Sequence, residues 1–344
     1  AQLATLVNSG TSCTGKTIVL TSDLDLSAIC AENTDGDGYG GWTPIGTGSK
    51  SFDGSFNGNG HTISGLYINR PNFVSQGLFG TTSGTISNVS LVDVNVTGCS
   101  EVGGLVGEIW GLIENCSVTG NVTGMEAGDN IGGLAGSSYF DGISCCYADV
   151  NVTGLYNIGG LVGYVEEESD ITNCYAFGNV SGRGNVGGLV GITYSNIANS
   201  YATVNVSSLN ENYACLIGGL AGTISGSVEN CSASGNVSGI SSSNSWIGGL
   251  VGQLYNTTSG TTTLNGVYST SYVNGNGKVG TLIGGIVNTS NGTSFSTINI
   301  TNATTVPGGD MIGFEGNSNS IPYESGQMAG LLASIDELTP TIET

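Results

Sequence analysis

The stretch Ile158-Gly-Gly-Leu-Val-Gly163 returns with small changes along most of the chain, and its spacing decides the fold class. Counted from the first glycine of each pair, the copies start at residues 103, 132, 159, 187, 218, 248 and 284. They lie 29, 27, 28, 31, 30 and 36 residues apart, and a shorter forerunner stands at residues 76–80. Such a period predicts an architecture in which each unit buries its apolar face by stacking on the next unit.

The apolar segments within each unit are too short for helices. In Ile113-Glu-Asn-Cys-Ser-Val118, as in the equivalent segments, Gly or Asn interrupts runs of a few residues that are rich in β-branched side chains. Three strands joined by tight corners fit in ~28 residues, whereas a propeller blade takes about 40 to 45. The sequence therefore predicts an all-β fold, a parallel β-helix (β-solenoid) with coils of about 28 residues, stacked ~4.8 Å apart.

A second landmark, an Asn-Val pair at residues 95, 121, 151, 179, 205 and 236, aligns the units in columns. Asparagine predominates six residues before this pair, Cys or Ser stands five before it, and Ala or Val three before it. The asparagine column and the Gly-Gly pairs are expected at corners, because both residue types tolerate positive φ and a Cβ would obstruct the glycine bend. Each asparagine amide is also placed to hydrogen-bond to the next coil.

The Cys and Ala columns lie two residues apart and so share one face of a strand, which we expect to point inward. The column between them then points outward, and in three successive units it holds Tyr147, Tyr175 and Tyr201.

Nine cysteines are many for a cytosolic chain and favour an oxidising, extracellular setting. The inward column leaves two alternatives open: buried thiols that behave as small hydrophobes, or disulfides between stacked neighbours such as Cys116 and Cys146. The odd number leaves one thiol for a neighbouring chain. The disulfide candidates are Cys13, Cys30, Cys99, Cys116, Cys145, Cys146, Cys174, Cys215 and Cys231.

Three regions are predicted along the chain. Residues 1–75 read as an N-terminal cap with the first irregular coils, since helical apolar spacing precedes a strand at residues 15–21 that Cys13 and Cys30 flank. Residues 76–290 are the repeats. Residues 291–344 read as a C-terminal cap or assembly segment, because apolar residues at 328, 331, 332, 335 and 338 have helical spacing.

The acidic residues Glu32, Asp35 and Asp37 form the candidate metal site. They offer hard oxygen ligands at a spacing typical of calcium loops, although the twelve-residue EF-hand pattern is missing. An ordinary Asp/Gly turn is the alternative, and no other cofactor is expected.

Composition excludes several classes of protein. With 26 acidic and 5 basic residues the chain lacks the clustered cations that nucleic-acid binding needs, and anionic membranes are disfavoured as well. Sixty glycines with only five prolines exclude collagen. No apolar stretch reaches 18 residues, so membrane insertion is not expected. The start at Ala1-Gln2 predicts a secreted chain, extracellular or on the cell surface, whose signal peptide has been removed.

Fourteen Asn-X-Ser/Thr sequons occur, many of them because the repeat itself reads Asn-Val-Thr/Ser. Asn115 and Asn230 fall in the corner column and are expected to be structural. The candidates for N-glycans are Asn88, Asn95, Asn121, Asn151, Asn179, Asn205, Asn236, Asn256, Asn288, Asn291, Asn299 and Asn302.

The phrase Gly-Gly-Leu-Val-Gly, followed by Asn-Cys-Tyr-Ala and Asn-Val-Ser/Thr-Gly, resembles the GLUG motif. The resemblance covers roughly residues 15–290, and the leader Trp42-Thr-Pro-Ile-Gly46 is similar as well. GLUG repeats occur in large secreted surface proteins of anaerobic bacteria and methanogenic archaea, including adhesin-like, envelope and sheath-like proteins. The resemblance implies a scaffold, and without a His-Glu-X-X-His sequence it does not carry the chemistry of GLUG-bearing metallopeptidases.

The favoured function is that of an extracellular structural protein. Copies of the chain would pair through exposed strand edges and flat ladders into a filament, tube, sheath or envelope lattice, stabilised by disulfides and N-glycans. The alternative is an adhesin or glycan-binding stalk with the tyrosine column as its platform. Enzymatic activity is not expected, because His61 is the single histidine and no acidic pair recurs on adjacent coils.

Overall fold

The computed structural model describes residues 1–31, 40–125, 128–209, 214–239, 244–256, 261–288, 297–301, 303–305, 310–313 and 315–316. Within these residues the regular structure is nearly all β, with two short helices near the N-terminus, α1 (Gln2–Asn8) and α2 (Ser27–Ala31).

The strands before the first full repeat are β1 (Thr17–Val19), β2 (Leu24–Asp25), β3 (Gly40–Gly41), β4 (Ser55–Asn57), β5 (Thr62–Ser64), β6 (Tyr67–Asn69), β7 (Phe79–Thr82), β8 (Thr85–Ser87) and β9 (Ser90–Gly98). The repeats contain β10 (Val106–Ile109), β11 (Ile113–Glu114), β12 (Ser117–Gly124), β13 (Asp129–Gly132), β14 (Ala135–Ser138), β15 (Ile143–Ser144), β16 (Tyr147–Thr153), β17 (Tyr156–Gly159), β18 (Val162–Val165), β19 (Ile171–Thr172), β20 (Tyr175–Gly182), β21 (Asn185–Gly187), β22 (Val190–Thr193), β23 (Ile197–Ala198), β24 (Tyr201–Ser208), β25 (Leu216–Gly218), β26 (Ala221–Ile224), β27 (Val228–Glu229), β28 (Ser232–Ser234) and β29 (Asn236–Gly239). The last strands are β30 (Trp246–Gly248), β31 (Val251–Asn256), β32 (Thr261–Asn265), β33 (Tyr268–Ser269), β34 (Tyr272–Gly275), β35 (Lys278–Gly280), β36 (Ile283–Asn288), β37 (Thr297–Thr301), β38 (Thr304–Thr305) and β39 (Glu315–Gly316).

These strands form four sheets that run along the stack of coils. Sheet I is β1-β4-β8-β11-β15-β19-β23-β27-β32-β37, and sheet II is β39-β36-β31-β26-β22-β18-β14-β10-β7. Sheet III is β2-β5-β9-β12-β16-β20-β24-β28-β33-β38, with β3, β6, β29 and β34 alongside, and sheet IV is β13-β17-β21-β25-β30-β35. Neighbouring strands are parallel and nearly in register, which confirms the β-solenoid.

One complete coil contains four strands, not the three expected from its length. The chain passes from β17 in sheet IV to β18 in sheet II, then to β19 in sheet I and β20 in sheet III, before β21 returns to sheet IV. The additional strand arises at the Gly-Gly-Leu segment, where the chain folds back and lays sheet IV against sheet II. A Cβ placed on Gly163 of sheet II would lie 2.4 Å from the backbone nitrogen of Ile131 in sheet IV.

The interior is built from columns of like residues. The column of sheet I is typical, because each member is at most 1% exposed, and it comprises Ile86, Ile113, Ile143, Ile171, Ile197 and Val228. Fully burying one such aliphatic side chain stabilises a fold by about 1.5 to 3 kcal/mol. The repeat therefore supplies its stability through contacts between coils.

The paired glycines are required by close packing rather than by their dihedral angles. None of those in the seven copies has a positive φ, so that expectation was wrong. The expectation of an obstructed Cβ was right: a Cβ on Gly159 would lie 2.0 Å from the carbonyl oxygen of Val162, and one on Gly160 2.1 Å from that of Gly188. The bend brings backbone against backbone, which only glycine permits.

The N-terminal end of the solenoid has its own cover. Helix α1 buries Ala4 and Val7 in the core, and Asn8 of α1 hydrogen-bonds to the backbone of Pro44 and Gly46 in the first coil. Strand β3 runs antiparallel to β6, unlike the strands of the repeats. The short helical cap predicted at this end is confirmed, whereas the helix predicted at residues 326–338 lies outside the described residues.

Candidate functional site

The asparagine column forms a left-handed corner, as predicted. Its members have φ between 51° and 55°, and they are Asn88, Asn115, Asn173, Asn199 and Asn230. The amide of Asn115 donates to Oδ1 of Asn88 at 2.5 Å, and that of Asn230 donates to Asn199 at 3.2 Å. Cys145 occupies the same column with φ 53°, where it has no amide to continue the ladder. The sequons at Asn115 and Asn230 are thus part of a structural ladder.

A second asparagine ladder runs along the exposed face of sheet III. Nδ2 of Asn151 donates to Asn121 at 3.1 Å, Asn179 donates to Asn151 at 2.8 Å, and Asn205 donates to Asn179 at 3.1 Å. The side chains are exposed, as expected for the Asn-Val-Thr/Ser set. The nitrogen that would carry an N-glycan is the nitrogen that donates in the ladder. A glycan would replace one of the two hydrogens on that nitrogen and leave one for the ladder.

The remaining glycan candidates have different surroundings. Asn95 and Asn236 are exposed, and Asn88 is half-buried. The side chains of Asn256, Asn288 and Asn299, and the whole of Asn291 and Asn302, lie outside the described residues.

The predicted tyrosine column exists and is longer than the sequence indicated. Tyr147, Tyr175 and Tyr201 stand side by side on the outer face of sheet III, and after Ser232 the column continues to Tyr268. The rings of Tyr175 and Tyr201 are 4.3 Å apart, whereas Tyr268 is 50% exposed. Tyr268 was not predicted because the last coils are longer and lack the Asn-Val pair that aligns the other coils.

A second aromatic stripe, not found from the sequence, begins at the end of sheet II. Its members are Trp110, Tyr139, Phe140, Tyr164 and Tyr194. Trp110 stacks on Tyr139 with ring centroids 4.5 Å apart, and the Tyr139–Tyr164 and Tyr164–Tyr194 pairs follow at 6.0 Å each. Burial and a hydrogen bond to Glu166 raise the pKa of the Tyr164 phenol, so the stripe stays un-ionised at neutral pH. A usable signal existed, since Trp110, Tyr139 and Tyr194 each stand seven residues after the first glycine of a pair.

Four segments of these coils match a known family of sequence repeats. The GLUG motif matches residues 98–123, 154–181, 182–207 and 213–238, each of which spans about one coil. The chain contains GLUG repeats.

Two curated relatives share the GLUG region. Halomucin from Haloquadratum walsbyi is 36% identical over 140 residues, which is 40% of this chain and 2% of that protein. A Gly-rich membrane protein from Evansella cellulosilytica is 39% identical over 104 residues, 29% of this chain and 12% of that protein. The chain thus matches only a small part of the length of these relatives.

A solved structure from Bacteroides ovatus, described as an immunoglobulin A1 protease, has the same fold as the GLUG coils. The similarity has a TM-score of 0.54 at 21% identity and covers 87% of this chain and 81% of that one. At this identity it supports the fold alone.

All nine cysteines of the chain are free. In the coils of the repeats Cys99 is half-buried, and five thiols are buried: Cys116, Cys146, Cys174, Cys215 and Cys231. The backbone N–H of Cys116 donates to Sγ of Cys146 at 3.3 Å, and Sγ of Cys146 donates to the carbonyl of Ser144 at 3.1 Å. Burial raises the pKa of Cys146 and raises that of Cys231 to about 11, so neither thiol forms a reactive thiolate at neutral pH. Cys145 differs, because its side chain is exposed.

The other predicted features of the N-terminal region lie apart from the GLUG coils. Cys13 and Cys30 are both buried, and the backbone N–H of Tyr67 donates to Sγ of Cys30.

The calcium candidates Glu32, Asp35 and Asp37 lie outside the described residues. Within the described ranges no group of three or more His, Cys, Asp or Glu side chains is arranged for a metal, and no helix there has the length and hydropathy of a membrane span.

Proposed function

We propose that the chain is a repeat rod of the cell surface or extracellular space that self-assembles through the outer face of sheet III. The observation that carries the proposal is the tyrosine column, whose members Tyr147, Tyr201 and Tyr268 are 42%, 36% and 50% exposed along one side of the rod. Exposed aromatic residues in a line are typical of contact surfaces. The likeness to parts of halomucin and of a membrane protein supports the surface location.

Lateral association suits this chain better than end-to-end growth. Helix α1 covers the first coil with Ala4 and Val7, so the N-terminal end of the solenoid is not an open edge. Two rods pairing side by side through their tyrosine columns bury the same surface on both copies. Repetition of such contacts gives a sheath or lattice.

The proposed disulfide and glycan positions lie beside the tyrosine column. Cys145 directly precedes the buried Cys146 and lines a surface depression together with Asn115 and Tyr147, so it is placed to bond to a neighbouring copy. The glycan candidate Asn151 follows Tyr147 by four residues on the same face, about 13 Å along the strand. Glycans there border the contact and do not fill it.

Light scattering and negative-stain microscopy test the proposal at micromolar concentration. We expect assemblies from the wild-type chain, and monomers from a variant in which Tyr147, Tyr175, Tyr201 and Tyr268 are replaced by Ser. Tyr156→Ser is the matched control, because Tyr156 is 44% exposed but lies in sheet IV. A wild-type chain that stays monomeric would refute the proposal.

The covalent part has a separate readout. Non-reducing electrophoresis of the secreted chain should show a dimer that reductant removes and that Cys145→Ser abolishes. Cys116→Ser is the control, since that thiol is buried in the column of the coil. A dimer that persists in Cys145→Ser would assign the bond to another cysteine.

The second candidate function is a glycan-binding stalk, which the aromatic stripe of sheet II supports. Trp110 and Phe140 are 41% and 44% exposed, and Glu108 and Glu166 supply hydrogen-bond acceptors beside the rings. Binding to a glycan array that disappears in Trp110→Ala with Tyr139→Ala would support this function. If the binding persisted in this variant, the stripe would be excluded as the glycan-binding site. Neither candidate function assigns catalysis to the chain.

A further inference from the structure

One place in the solenoid brings two carboxylates together. Glu101 stands in the column of sheet IV that the next three coils fill with asparagine, since Val102 pairs with Ile131 and the ladder of Asn130, Asn157 and Asn185 follows. Glu108 stands in the neighbouring sheet II, on β10. The backbone of Glu101 lies directly against Gly107, whose Cβ would be 2.7 Å from the Glu101 carbonyl oxygen. The first full repeat therefore has two acids where the next repeat has the neutral residues Asn130 and Ser137.

The part of the chain that the structure describes gives this pair no cationic partner. Neither carboxylate has a lysine or arginine partner among the described residues. Glu101 accepts a hydrogen bond from Ser75 Oγ at 3.1 Å, and Glu108 accepts one from the indole of Trp110. A Cβ on Gly107, the residue before Glu108, would lie 2.5 Å from Cα of Ser75, so the residue that bonds to Glu101 is packed beside Glu108. Two half-buried carboxylates that face each other repel unless a proton or a cation lies between them.

Two buried hydroxyl groups flank the same carboxylate. Thr81 and Ser137 are the in-register neighbours of Glu108 on β7 and β14, so all three side chains lie on one face of sheet II. Thr81 is 4% exposed and its hydroxyl oxygen has no hydrogen-bond partner within the described residues, whereas the buried hydroxyl of Ser137 faces the phenol of Tyr139. Buried polar atoms are nearly always paired, so the unpaired hydroxyl of Thr81 beside a carboxylate indicates a missing partner.

We propose that Glu101 and Glu108, with the hydroxyl groups of Ser75, Thr81 and Ser137, bind a hard divalent cation of the calcium type. Calcium takes six to eight oxygen ligands, and carboxylates supplemented by neutral oxygens and water satisfy that preference. The site differs from the loop candidate at Asp35 and Asp37 in position and in ligands. It would tie the first full repeat to the coils on either side, because its ligands come from three successive coils.

Terbium is a suitable probe, because it replaces calcium and its emission is sensitised by a nearby indole. Trp110 contacts Glu108, so the site carries its own sensitiser. We expect titration of D35N/D37N, which removes the loop ligands next to Trp42, to show sensitised emission that saturates and that calcium displaces. Adding Glu101→Gln and Glu108→Gln should weaken terbium binding more than about tenfold, since both charged ligands are lost.

Two controls keep the result specific. Glu114→Gln with Glu229→Gln removes the same charge from exposed positions of sheet I and should leave the terbium midpoint unchanged. Trp110→Phe should lower the emission at saturation without moving the calcium concentration that stabilises the chain in thermal unfolding. Unchanged terbium binding in the Glu101/Glu108 variant, or an equal loss in the Glu114/Glu229 variant, would overturn the proposal.

A second readout does not use terbium. Calcium at millimolar concentration should raise the Tm of D35N/D37N and not that of the same protein with Glu101→Gln and Glu108→Gln. Without calcium the variant that lacks both glutamates should be at least as stable as D35N/D37N, because the facing charges are gone. A variant destabilised without calcium and still stabilised by it would contradict the site.

Discussion

The first coils, residues 40–98, and the central coils, residues 128–209, bury their interiors in different ways. The first coils rely on large, unique side chains: Phe79 packs against Phe52 and Phe56 with ring centroids 5.2 Å apart in both pairs. The central coils rely on columns of Ile, Val, Ala and Cys that repeat from coil to coil. The first strand of sheet IV is β13, and before it the equivalent segments make only single bridges at Gln76 and Val102.

The difference shows what stacking requires. A column works when the same residue fits above and below itself, which favours small or β-branched side chains at a spacing of ~4.8 Å. The first coil has no equal neighbour on its outer side, where α1 lies instead. Its interior must therefore be filled by side chains that match one particular partner.

Breaking the unique interior should have the largest effect. Phe79→Ala removes a fully buried ring from its two aromatic contacts and should lower the free energy of unfolding of the first coils by about 3 to 5 kcal/mol. Hydrogen exchange should show lost protection in residues 40–98 and retained protection in residues 128–209. Phe73→Ala is the control, since Phe73 is 39% exposed. Equal loss in both regions would mean that the two interiors unfold as one unit.

Breaking the glycine bend should have the next largest effect, and in the other region. The Cβ of Gly159→Ala would lie 2.0 Å from a backbone carbonyl oxygen, so strands β17 and β18 must move apart, at a cost of about 3 kcal/mol. Urea unfolding and hydrogen exchange should locate the damage in residues 128–209. Gly40→Ala is the control in the first coils, because its Cβ would meet only a Tyr67 ring atom at 3.7 Å. A stable Gly159→Ala variant would disprove the close-packing explanation.

A gain of stability is expected where the central columns are imperfect. Cys145 interrupts the asparagine corner with φ 53°, so Cys145→Asn should stabilise the central coils by about 1 kcal/mol. The new amide would also lie between Asn115 and Asn173 of the ladder. Chemical unfolding measures the gain, and Cys145→Ser, which restores no ladder amide, should show little of it. If the two variants were equally stable, the ladder amide would make no contribution to stability.

The smallest effect concerns the edge of the first coils. Asp53 accepts hydrogen bonds from Ser12, Thr14 and the backbone of Cys13, and these, led by the two hydroxyl groups, lower its pKa from 3.8 to about 2. A carboxylate with a lowered pKa in the folded state stabilises it above pH 3.8, and this contribution disappears as the pH falls through about 2. Because Asp53 lies at the surface and is only half-buried, solvent screens its charge and the effect is small.

Thermal unfolding between pH 5 and pH 2 tests this contribution. The wild-type chain should lose more stability over this range than Asp53→Asn, which has no carboxylate to protonate. Parallel pH curves for the two proteins would show that Asp53 contributes nothing through its charge.

The sequence predicted the solenoid, the asparagine corner and the inward Cys and Ala columns, because each depends on a residue pattern that repeats at the period of the coil. It did not predict the fourth strand, since the bend at Gly-Gly-Leu depends on contacts between sheets II and IV that a residue pattern does not show. The stripe from Trp110 to Tyr194 was missed for a related reason: its members come from two columns that meet only when the coils are stacked.

The sequence by itself determined the period, the residue columns and therefore the stacking of this protein, because in-register stacking only requires that like residues recur at equal spacing. The tertiary structure decided which side chains meet between columns. Glu101 and Glu108 are seven residues apart and belong to different columns, and the bend between them packs Gly107 against the backbone of Glu101. The physical reason is that contacts within a column follow from repetition, whereas contacts between columns depend on the angle at which each coil bends.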